Sequence, residues 1–553
     1  MTIRRFSSLK PYEYGVLAAG LALFLALTCC QLDLPGPHYD EAIEVLPAMQ
    51  ILLGQPVETF RGAGLHLGRL SLPIMVMDYI GAMNTYLALP FFLALGINVI
   101  AMRLMPICFA AGTLLLTYFF ARALFGRAAA AIALFTLAGS ISFVFWSRQG
   151  IFVTNLTSTI MLGALCCALR WWRGGRRRYF YATALLLGLG LYTKLIFLWA
   201  IGAMAGAILL VNADRIIAGL RRRERAPWPA RLSVNLRQAL GAAAAFLAPL
   251  APLLLFNLQT GGTWKVLTAN LFSSYYGINN LAFFANLATR LDQITKVWEG
   301  SHFWYLGETF QNRLWTPALV GALAFVVFMA IWKRGTGDAA WRKALFPFAM
   351  IALMIVQSCF TVSALWFTHY AILTPLPPLA LAGGLAFIAR QSGRERALWP
   401  ALAVLIMAIV GYDLLADIRY HTALAASGGY AAHSDASYKL AEALEQAGAG
   451  PAVALDWGIQ AQVQFLTRGR VVPREIFGYD KLEEPDPAFG ERLAPYLRDP
   501  RTIYVLHSYE QEVYRGRRFA LEKEVGRAGK HSRLAQIIYE RSGRPAYILV
   551  MVD

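Results

Sequence analysis

Runs of apolar residues long enough to cross a bilayer, about 17–25 residues, recur along the chain as far as residue 416. About eleven of them are predicted to be transmembrane helices: 14–33, 97–121, 128–146, 151–170, 179–193, 195–212, 238–257, 315–332, 343–363, 367–389 and 398–416. Within lipid, a spanning segment must satisfy its own backbone hydrogen bonds, which favours helices. Residues 1–417 are therefore predicted to form a polytopic α-helical membrane module.

The pattern changes after residue 417, where charges are found throughout and no run could span a membrane. Short apolar stretches at 451–457, 501–507 and 546–552 are typical of buried strands, and 435–447 and 488–498 have helical spacing. Residues 418–553 are accordingly predicted to be a small α/β domain.

Composition supports a lipid environment for most of the chain. Of the 553 residues, 57% are hydrophobic and only 15% are charged, whereas about 25% are charged in soluble proteins. The net charge of +18 comes largely from connections on one side of the predicted helices, such as 170–178, 215–237 and 390–396. Because loops rich in Lys and Arg stay inside, the N-terminus is predicted to be cytoplasmic and the C-terminal domain to lie outside a bacterial inner membrane. Nucleic acid is not needed as a partner to explain the charge.

Two predicted outer loops, 34–96 and 258–314, are too long to be simple connections. The first contains helix-like apolar spacing at 40–53 and 83–95, and the second mixes aromatic and charged residues. Such segments suit helices that lie in the membrane interface. Long structured loops on one face of a scaffold commonly carry function.

The first outer loop opens with an acidic pair, Asp40 and Glu41, directly after Leu34-Pro-Gly-Pro37 and His38-Tyr39. One interpretation is structural, with Asp40 as the N-cap of a helix and Glu41 in its first turn. The other is catalytic, because a carboxylate partly screened from water can accept a proton from an alcohol. The sequence leaves both open.

Further motifs follow in a recognisable order. They are 78–86 (DYIGAMNTY), 92–96 (FLALG), 101–104 (AMRL), 188–194 (GLGLYTK) and 368–370 (THY), the last followed by Pro375, Pro377 and Pro378. Together with the acidic pair, this order resembles the GT-C glycosyltransferases over about residues 1–420. Within them it is most similar to the protein O-mannosyltransferase and aminoarabinose-transferase branch.

The resemblance implies an inverting transferase that takes a sugar from a polyprenyl-phosphate donor at the outer membrane face. Asp40 would be the general base on the acceptor hydroxyl, and Glu41 would assist by hydrogen bonding, sugar recognition or metal coordination. Cations would stabilise the departing phosphate, and the candidates are Arg61, Arg69, Arg103, Arg148 and Lys194. Arg103 and Lys194 are the strongest of these, since each lies at a predicted span end, although snorkelling to lipid headgroups is the alternative for both.

The resemblance also suggests a substrate pocket and a candidate divalent metal, although no cofactor is certain. The pocket residues would be Tyr39, Tyr79, Tyr86, His302, His369 and Tyr370, and the metal would involve Asp40, His302 and His369. However, the loop 146–155 lacks the carboxylate that many relatives use for a metal, and no Lys-Pro-Pro stands in the first outer loop. Histidines at such positions are also often hydrogen-bonded structural residues.

The expected partners are the lipid-linked donor, membrane lipids and a lipid, glycan or protein acceptor. The main alternative function is that of a transporter or lipid flippase, which would share the spans and basic inner loops. A third hypothesis is an assembly scaffold. Transporters often contain internal repeats, and no convincing repeat is visible here. The cytoplasmic loops also lack Asp-x-Asp and phosphate-loop motifs, which favours a lipid-linked donor over a nucleotide sugar.

Overall fold

A computed structural model gives the architecture of the chain. It describes residues 9–553 except 69, 154, 215, 218–232, 275–276, 333–339, 361–365, 393–394, 449 and 480. Up to Ser427 the described α-helices are, in chain order, α1 (Pro11–Thr28), α2 (Tyr39–Leu53), α3 (Met83–Leu95), α4 (Val99–Leu124), α5 (Arg127–Ala138), α6 (Ile141–Arg148), α7 (Gly150–Val153), α8 (Asn155–Gly174), α9 (Arg177–Thr193), α10 (Leu198–Val211), α11 (Leu236–Leu247), α12 (Ala251–Thr260), α13 (Gly262–Ala269), α14 (Phe283–Glu299), α15 (Trp315–Trp332), α16 (Ala340–Ser358), α17 (Leu376–Gln391) and α18 (Glu395–Ser427). Short 3-10 turns at Leu195–Phe197, Ala248–Leu250, Trp304–Leu306 and Phe367–Leu373 join some of them.

The helical part is that of a multi-pass membrane protein. Six described segments are long and apolar enough to cross a bilayer: α1, α4, Leu236–Thr260, α15, α16 and the apolar part of α18. Two bent pairs, α5 with α6 and Phe367–Leu373 with α17, raise the number to eight if each is one span. All eleven predicted runs lie largely in helix in their described parts. The count of eleven spans stays a prediction.

Both of the long loops that are predicted to lie outside contain the expected helices. Those of the first loop are α2 and α3, and those of the second are α13 and α14. Between α2 and α3 the chain also forms two small antiparallel pairs that the sequence pattern did not predict: β1 (Gly64–Leu67) with β2 (Leu70–Pro73), and β3 (Met75–Met77) with β4 (Ile80–Gly81). Whether these helices lie in the membrane interface stays a prediction.

The C-terminal part is an α/β domain, as predicted. Its helices are α19 (Ala436–Gln446), α20 (Gln460–Leu466), α21 (Phe489–Leu493) and α22 (Arg517–Arg527), and its strands are β5 (Ala452–Ala454), β6 (Arg474–Glu475), β7 (Ile503–His507), β8 (Ser532–Tyr539) and β9 (Pro545–Val552). The strand order is β6-β5-β7-β9-β8, with β5 parallel to β6 and β7 and with antiparallel pairing of β9 to β7 and β8. The strands expected near 451, 501 and 546 are β5, β7 and β9. Strand β8 was missed because most of its residues are exposed.

The C-terminal domain, which follows the last membrane helix, contacts the segment just before α2. Helix α18 continues past residue 417 to Ser427. From the following domain, Gln462 donates a hydrogen bond of 2.6 Å to the carbonyl of Pro37. A Cβ atom on Gly36 would lie 2.1 Å from the backbone oxygen of Ser434, so only glycine permits this close approach. The domain is thereby packed directly on the acidic loop.

Candidate active site

Helix α2 begins with a capping arrangement that leaves Asp40 out. The N-cap is His38, not Asp40 as the structural interpretation expected: Nδ1 of His38 accepts the backbone N–H of Asp40 at 3.2 Å. In return, a carboxylate oxygen of Glu41 accepts the backbone N–H of His38 at 3.1 Å. The Asp40 side chain remains 34% exposed, with its nearest ion-pair contact at 4.0 Å to His38. It therefore sits in the positive field of the helix N-terminus without a capping task.

Glu41 and Arg103 form a fully buried ion pair. The two N–H···O distances are 2.8 and 3.0 Å, and both side chains have no exposed area. The remaining N–H groups of Arg103 bind the carbonyls of Leu32, Pro35 and Gly36. All five guanidinium donors are thus used within the protein. Arg103 thus shapes the acidic loop together with Glu41, and its expected role as a ligand of the donor phosphate stays a prediction.

Two other predicted phosphate ligands are also engaged by the protein. Arg61 makes a bidentate pair with Asp78, with both distances 2.8 Å. Arg148 is buried and donates to the carbonyls of Gln31 and Leu34. The side chain of Arg61 is nevertheless 49% exposed, and Nε of Arg148 is buried without a hydrogen-bond partner among the described residues. Arg69 lies outside the described residues.

Lys194 is the predicted cation whose surroundings suit a ligand. It follows α9 in an extended conformation, and its segment pairs with β4 through Ile80. The residue is 7% exposed, and within the described part of the chain its ammonium group makes no hydrogen bond or ion pair. The charges of Asp40 and Glu44 act on it, while burial lowers its pKa. A largely buried cation that makes no ion pair among the described residues suits an oxygen-rich anionic ligand.

Glu44 was missed by the sequence reasoning. It lies one turn after Asp40 on α2, is 1% exposed, and accepts a 2.6 Å hydrogen bond from the amide of Asn84 on α3. Its other oxygen, Oε1, is buried without a partner. Burial raises the pKa of Glu44 to about 8. The i, i+4 spacing from Asp40 could have indicated a shared helix face, but nothing in the sequence reveals that this face is covered.

Arg290 is a second missed residue. It belongs to the buried face of α14, with Asn286, Ile294 and Val297. One guanidinium N–H contacts Gln293 at 3.3 Å, whereas Nε is buried without a partner. The charges of Arg290 and Lys194 both act on His369. Two buried cations around one histidine, neither with a carboxylate within ion-pair distance among the described residues, form an electropositive region.

The predicted tyrosines divide between this region and other parts of the fold. Tyr79 lies beside Lys194, because its carbonyl accepts the N–H of Leu195 at 3.1 Å. Tyr370 is buried and donates to Gln293, the residue that Arg290 also contacts. Tyr79 is thus next to Lys194, and Tyr370 is next to Arg290.

Tyr39 and Tyr86 have different neighbours. Tyr39 packs against Trp457 of the C-terminal domain, with ring centroids 4.9 Å apart. Tyr86 donates a 2.6 Å hydrogen bond to the carbonyl of Pro73. Their observed contacts are structural: Tyr39 holds the C-terminal domain, and Tyr86 holds strand β2.

The metal site suggested for Asp40, His302 and His369 is not assembled. His302 is packed among aromatic rings, with centroids 4.0 Å from Phe303 and 4.7 Å from Trp146, and burial lowers its pKa to about 3. Among the described residues there is no group of three or more His, Cys, Asp or Glu side chains that could hold a metal ion. The observed donor set therefore does not fit a bound metal, and no step below depends on one.

A stack of rings fixes the entrance to α2. His38 stacks on His433 of the C-terminal part at 4.6 Å, and His433 stacks on Tyr305 at 3.8 Å. Tyr305 in turn donates to Gln149 at the end of α6. Gln149, Tyr305 and His433, which are far apart in the sequence, are thus connected to the first residues of the acidic loop. The sequence pattern did not indicate this packing role of His433.

Comparison with solved structures identifies the fold. The chain superposes on ArnT from Cupriavidus metallidurans in the apo state with a TM-score of 0.57 and 12% identity, covering 97% of each chain. For ArnT bound to undecaprenyl phosphate the TM-score is 0.53 at 12% identity, with 98% of each chain covered. For the archaeal oligosaccharyltransferase AglB from Archaeoglobus fulgidus, in complex with an inhibitory peptide and a dolichol-phosphate, it is 0.52 at 13% identity, covering 90% of this chain and 69% of that one.

No protein-family model and no curated protein matches the sequence. The structural likeness nevertheless extends over nearly the whole chain and includes the C-terminal domain. ArnT and AglB are both GT-C glycosyltransferases. The membrane helices, the outer-loop helices and the C-terminal α/β domain of this chain together have the GT-C fold.

Proposed function

We propose that the protein is an inverting glycosyltransferase that moves a sugar from a polyprenyl-phosphate donor to an acceptor hydroxyl. The single observation that carries the proposal is the position of Asp40. Its partly exposed carboxylate lies at the N-terminus of α2, free of the capping bonds, and its charge acts on the buried ammonium group of Lys194. A base and a cation for the leaving phosphate are the two groups that a direct displacement needs.

The donor class is supported by the fold and by the buried cations. Solved structures with this fold carry undecaprenyl phosphate and dolichol-phosphate. Lys194 and Arg290 are buried and lack carboxylates within ion-pair distance among the described residues. An uncompensated buried charge is unfavourable, and a lipid phosphate would supply a compensating negative charge. In this proposal Lys194 and Arg290 are the main phosphate ligands, whereas Arg61 and Arg103 are paired with carboxylates of the protein.

In the proposed mechanism, the oxygen of the acceptor hydroxyl attacks the anomeric carbon while Asp40 accepts the proton of that hydroxyl. The bond from that carbon to the phosphate oxygen breaks, and the electron pair leaves with the lipid phosphate next to Lys194. Attack opposite the leaving group inverts the configuration. Glu41 takes no direct part, since its carboxylate is occupied by Arg103 and by the N–H of His38. It keeps the first turn of α2, and so Asp40, in place.

The reaction would take place on the extracytoplasmic side of a bacterial inner membrane. The support is the concentration of basic residues in the predicted inner loops. The C-terminal domain, packed on the loop that holds Asp40, would then face the same compartment as the acceptor. This arrangement suits a domain that covers the site or selects the acceptor, which is a lipid, a glycan or a protein.

The test is a transfer assay with purified protein in detergent, where no separate compartments exist. Synthetic undecaprenyl-phosphate-linked hexoses and pentoses are supplied with a cell-envelope extract as acceptor mixture, and free undecaprenyl phosphate is measured. A glycosyltransferase releases it in proportion to sugar found in product. A flippase or scaffold gives no covalent product in detergent, and that result with every donor would reject the proposal.

A further inference from the structure

The mechanism above does not use the carboxyl group of Glu44. This side chain is 99% removed from solvent, and its Oε2 accepts the Asn84 amide at 2.6 Å. The same amide nitrogen lies 3.4 Å from the carbonyl of Ile151. Because a carbonyl can only accept, this second contact supports the orientation in which Asn84 presents its N–H groups. Oε2 of Glu44 is therefore an acceptor in this arrangement.

The second oxygen, Oε1, has no partner in the protein. Buried polar atoms are nearly always hydrogen-bonded, and leaving one unsatisfied is unfavourable. Glu44 also stands one turn from Asp40 on the same helix, and the charges of Asp40 and Lys194 both act on it. The unsatisfied oxygen thus belongs to the same group of side chains as the proposed base and the proposed phosphate cation.

The charged groups that act on Glu44 are Asp40 on α2 and Lys194 after α9; Asn84 on α3 is neutral. Burial and Asp40 oppose ionisation of Glu44, and its pKa is raised to about 8. Burial therefore favours the protonated form of this carboxyl group. Since Oε2 already accepts from Asn84, its proton resides on Oε1, which makes Oε1 a hydrogen-bond donor.

We propose that Glu44 donates a hydrogen bond from Oε1 to a phosphate oxygen of a ligand that Lys194 also binds. The ligand class is a phosphate anion, and within the proposed function it is the phosphate of the lipid carrier, so the inference rests on that function for its identity. Glu44 would be a binding residue and would keep its proton. A neutral donor here lets a phosphate approach two acidic residues with less repulsion than two carboxylates would cause.

The experiment measures binding of two probes, undecaprenyl phosphate and inorganic phosphate, to the full-length protein in nanodiscs between pH 6.5 and 9.5. The variants are Glu44→Gln, which keeps a donor that cannot ionise, and Glu44→Leu, which removes it. Glu58→Gln, at an exposed residue just beyond α2, is the matched control.

At pH 7 we expect Glu44→Gln and Glu58→Gln to bind undecaprenyl phosphate as the wild type does, and Glu44→Leu to bind about tenfold more weakly. Above pH 8 the wild type should lose affinity as Glu44 ionises. The Glu44→Gln variant should lose less affinity than the wild type over this pH range. The loss that remains in this variant reports deprotonation of Lys194.

Equal pH profiles for the wild type and Glu44→Gln would overturn the inference, as would wild-type affinity in folded Glu44→Leu. If the leucine variant does not fold, the comparison of the glutamine variant with the wild type decides. Binding of undecaprenyl phosphate without any dependence on residue 44 leaves the proposed function standing and removes only this inference. If only inorganic phosphate binds, with the dependence on Glu44, the inference holds and the proposed donor is wrong. Binding of neither probe overturns both.

Discussion

At the scale of single residues, the predicted phosphate-binding cations differ in whether the protein itself supplies their hydrogen-bond partners. The guanidinium of Arg103 makes five hydrogen bonds to four residues of the protein, whereas the ammonium group of Lys194 makes none among the described residues. Both lie near predicted span ends, so the sequence could not separate them. The acidic pair was recognised from the sequence, but the roles of its members depend on burial: Asp40 is 34% exposed and Glu41 is not exposed at all. The sequence does not report which neighbours enclose a side chain.

The buried pair yields a stability prediction. Glu41→Gln should lower the free energy of unfolding by about 3–5 kcal/mol, because it leaves Arg103 as an uncompensated buried charge. The measurement is the thermal unfolding midpoint in detergent. Asp292→Asn, which removes an exposed pair with Lys296, is the control and should change stability by less than about 1 kcal/mol. Unchanged stability with lost transfer would instead make Glu41 a substrate ligand.

The phosphate assignment yields a binding prediction. Lys194→Met should weaken binding of undecaprenyl phosphate about tenfold or more, since it removes a charge-assisted hydrogen bond. Arg61→Met should have little effect, because that guanidinium is bound to Asp78. Titration of the lipid into nanodisc-reconstituted protein measures both affinities. A larger loss for Arg61→Met than for Lys194→Met would reverse the assignment.

At the scale of elements, hydrophobic periodicity located the helices but not their contacts. It predicted α2, α3 and the three central strands of the C-terminal domain, because each buries an apolar face or run. It did not predict β1 to β4, which are short, or the solvent-exposed β8. Nor did it indicate that α2 packs against α20, which brings residues about 420 positions apart into one cluster. Such contacts depend on tertiary packing, which local patterns do not encode.

The packing of the C-terminal domain on α2 can be tested at Trp457. This ring contacts Tyr39 and His38, the two residues before Asp40. Trp457→Ala should lower the transfer rate about tenfold or more, because a small displacement of a reacting group is costly, while binding of undecaprenyl phosphate is unchanged. Tyr509→Ala, at a residue 82% exposed, should leave both unchanged. Equal transfer by the two variants would show that this contact does not position Asp40.

At the scale of the whole molecule, the apolar composition predicted a membrane protein, and the resemblance of its ordered motifs to the GT-C glycosyltransferases predicted the GT-C fold. The solved structures match at only 12–13% identity, so the conserved property is the arrangement of helices and loops. The number of spans is harder to predict from the sequence. A short or broken apolar helix, such as the bent pair α5 and α6, either crosses the bilayer or turns back within it, and the apolar pattern is the same in both cases. The side of the membrane rests on the charge of the loops.

Membrane orientation can be measured by cysteine labelling in intact cells. Tyr509→Cys, in the C-terminal domain, should react with a reagent that does not cross the inner membrane. Arg176→Cys, in the connection between α8 and α9, should react only after that membrane is permeabilised. The unsubstituted protein, with its six cysteines, gives the background. The opposite labelling pattern would place the site in the cytoplasm and exclude the proposed orientation.

The most direct test of the central claim compares Asp40→Asn with the wild type in two assays of the same preparation. One measures transfer of sugar from an undecaprenyl-phosphate-linked donor, and the other measures affinity for undecaprenyl phosphate. We expect transfer to fall by about 100-fold or more while the affinity stays within about threefold, because Asp40 removes a proton and Lys194 binds the phosphate. Transfer at the wild-type rate by Asp40→Asn would contradict the account.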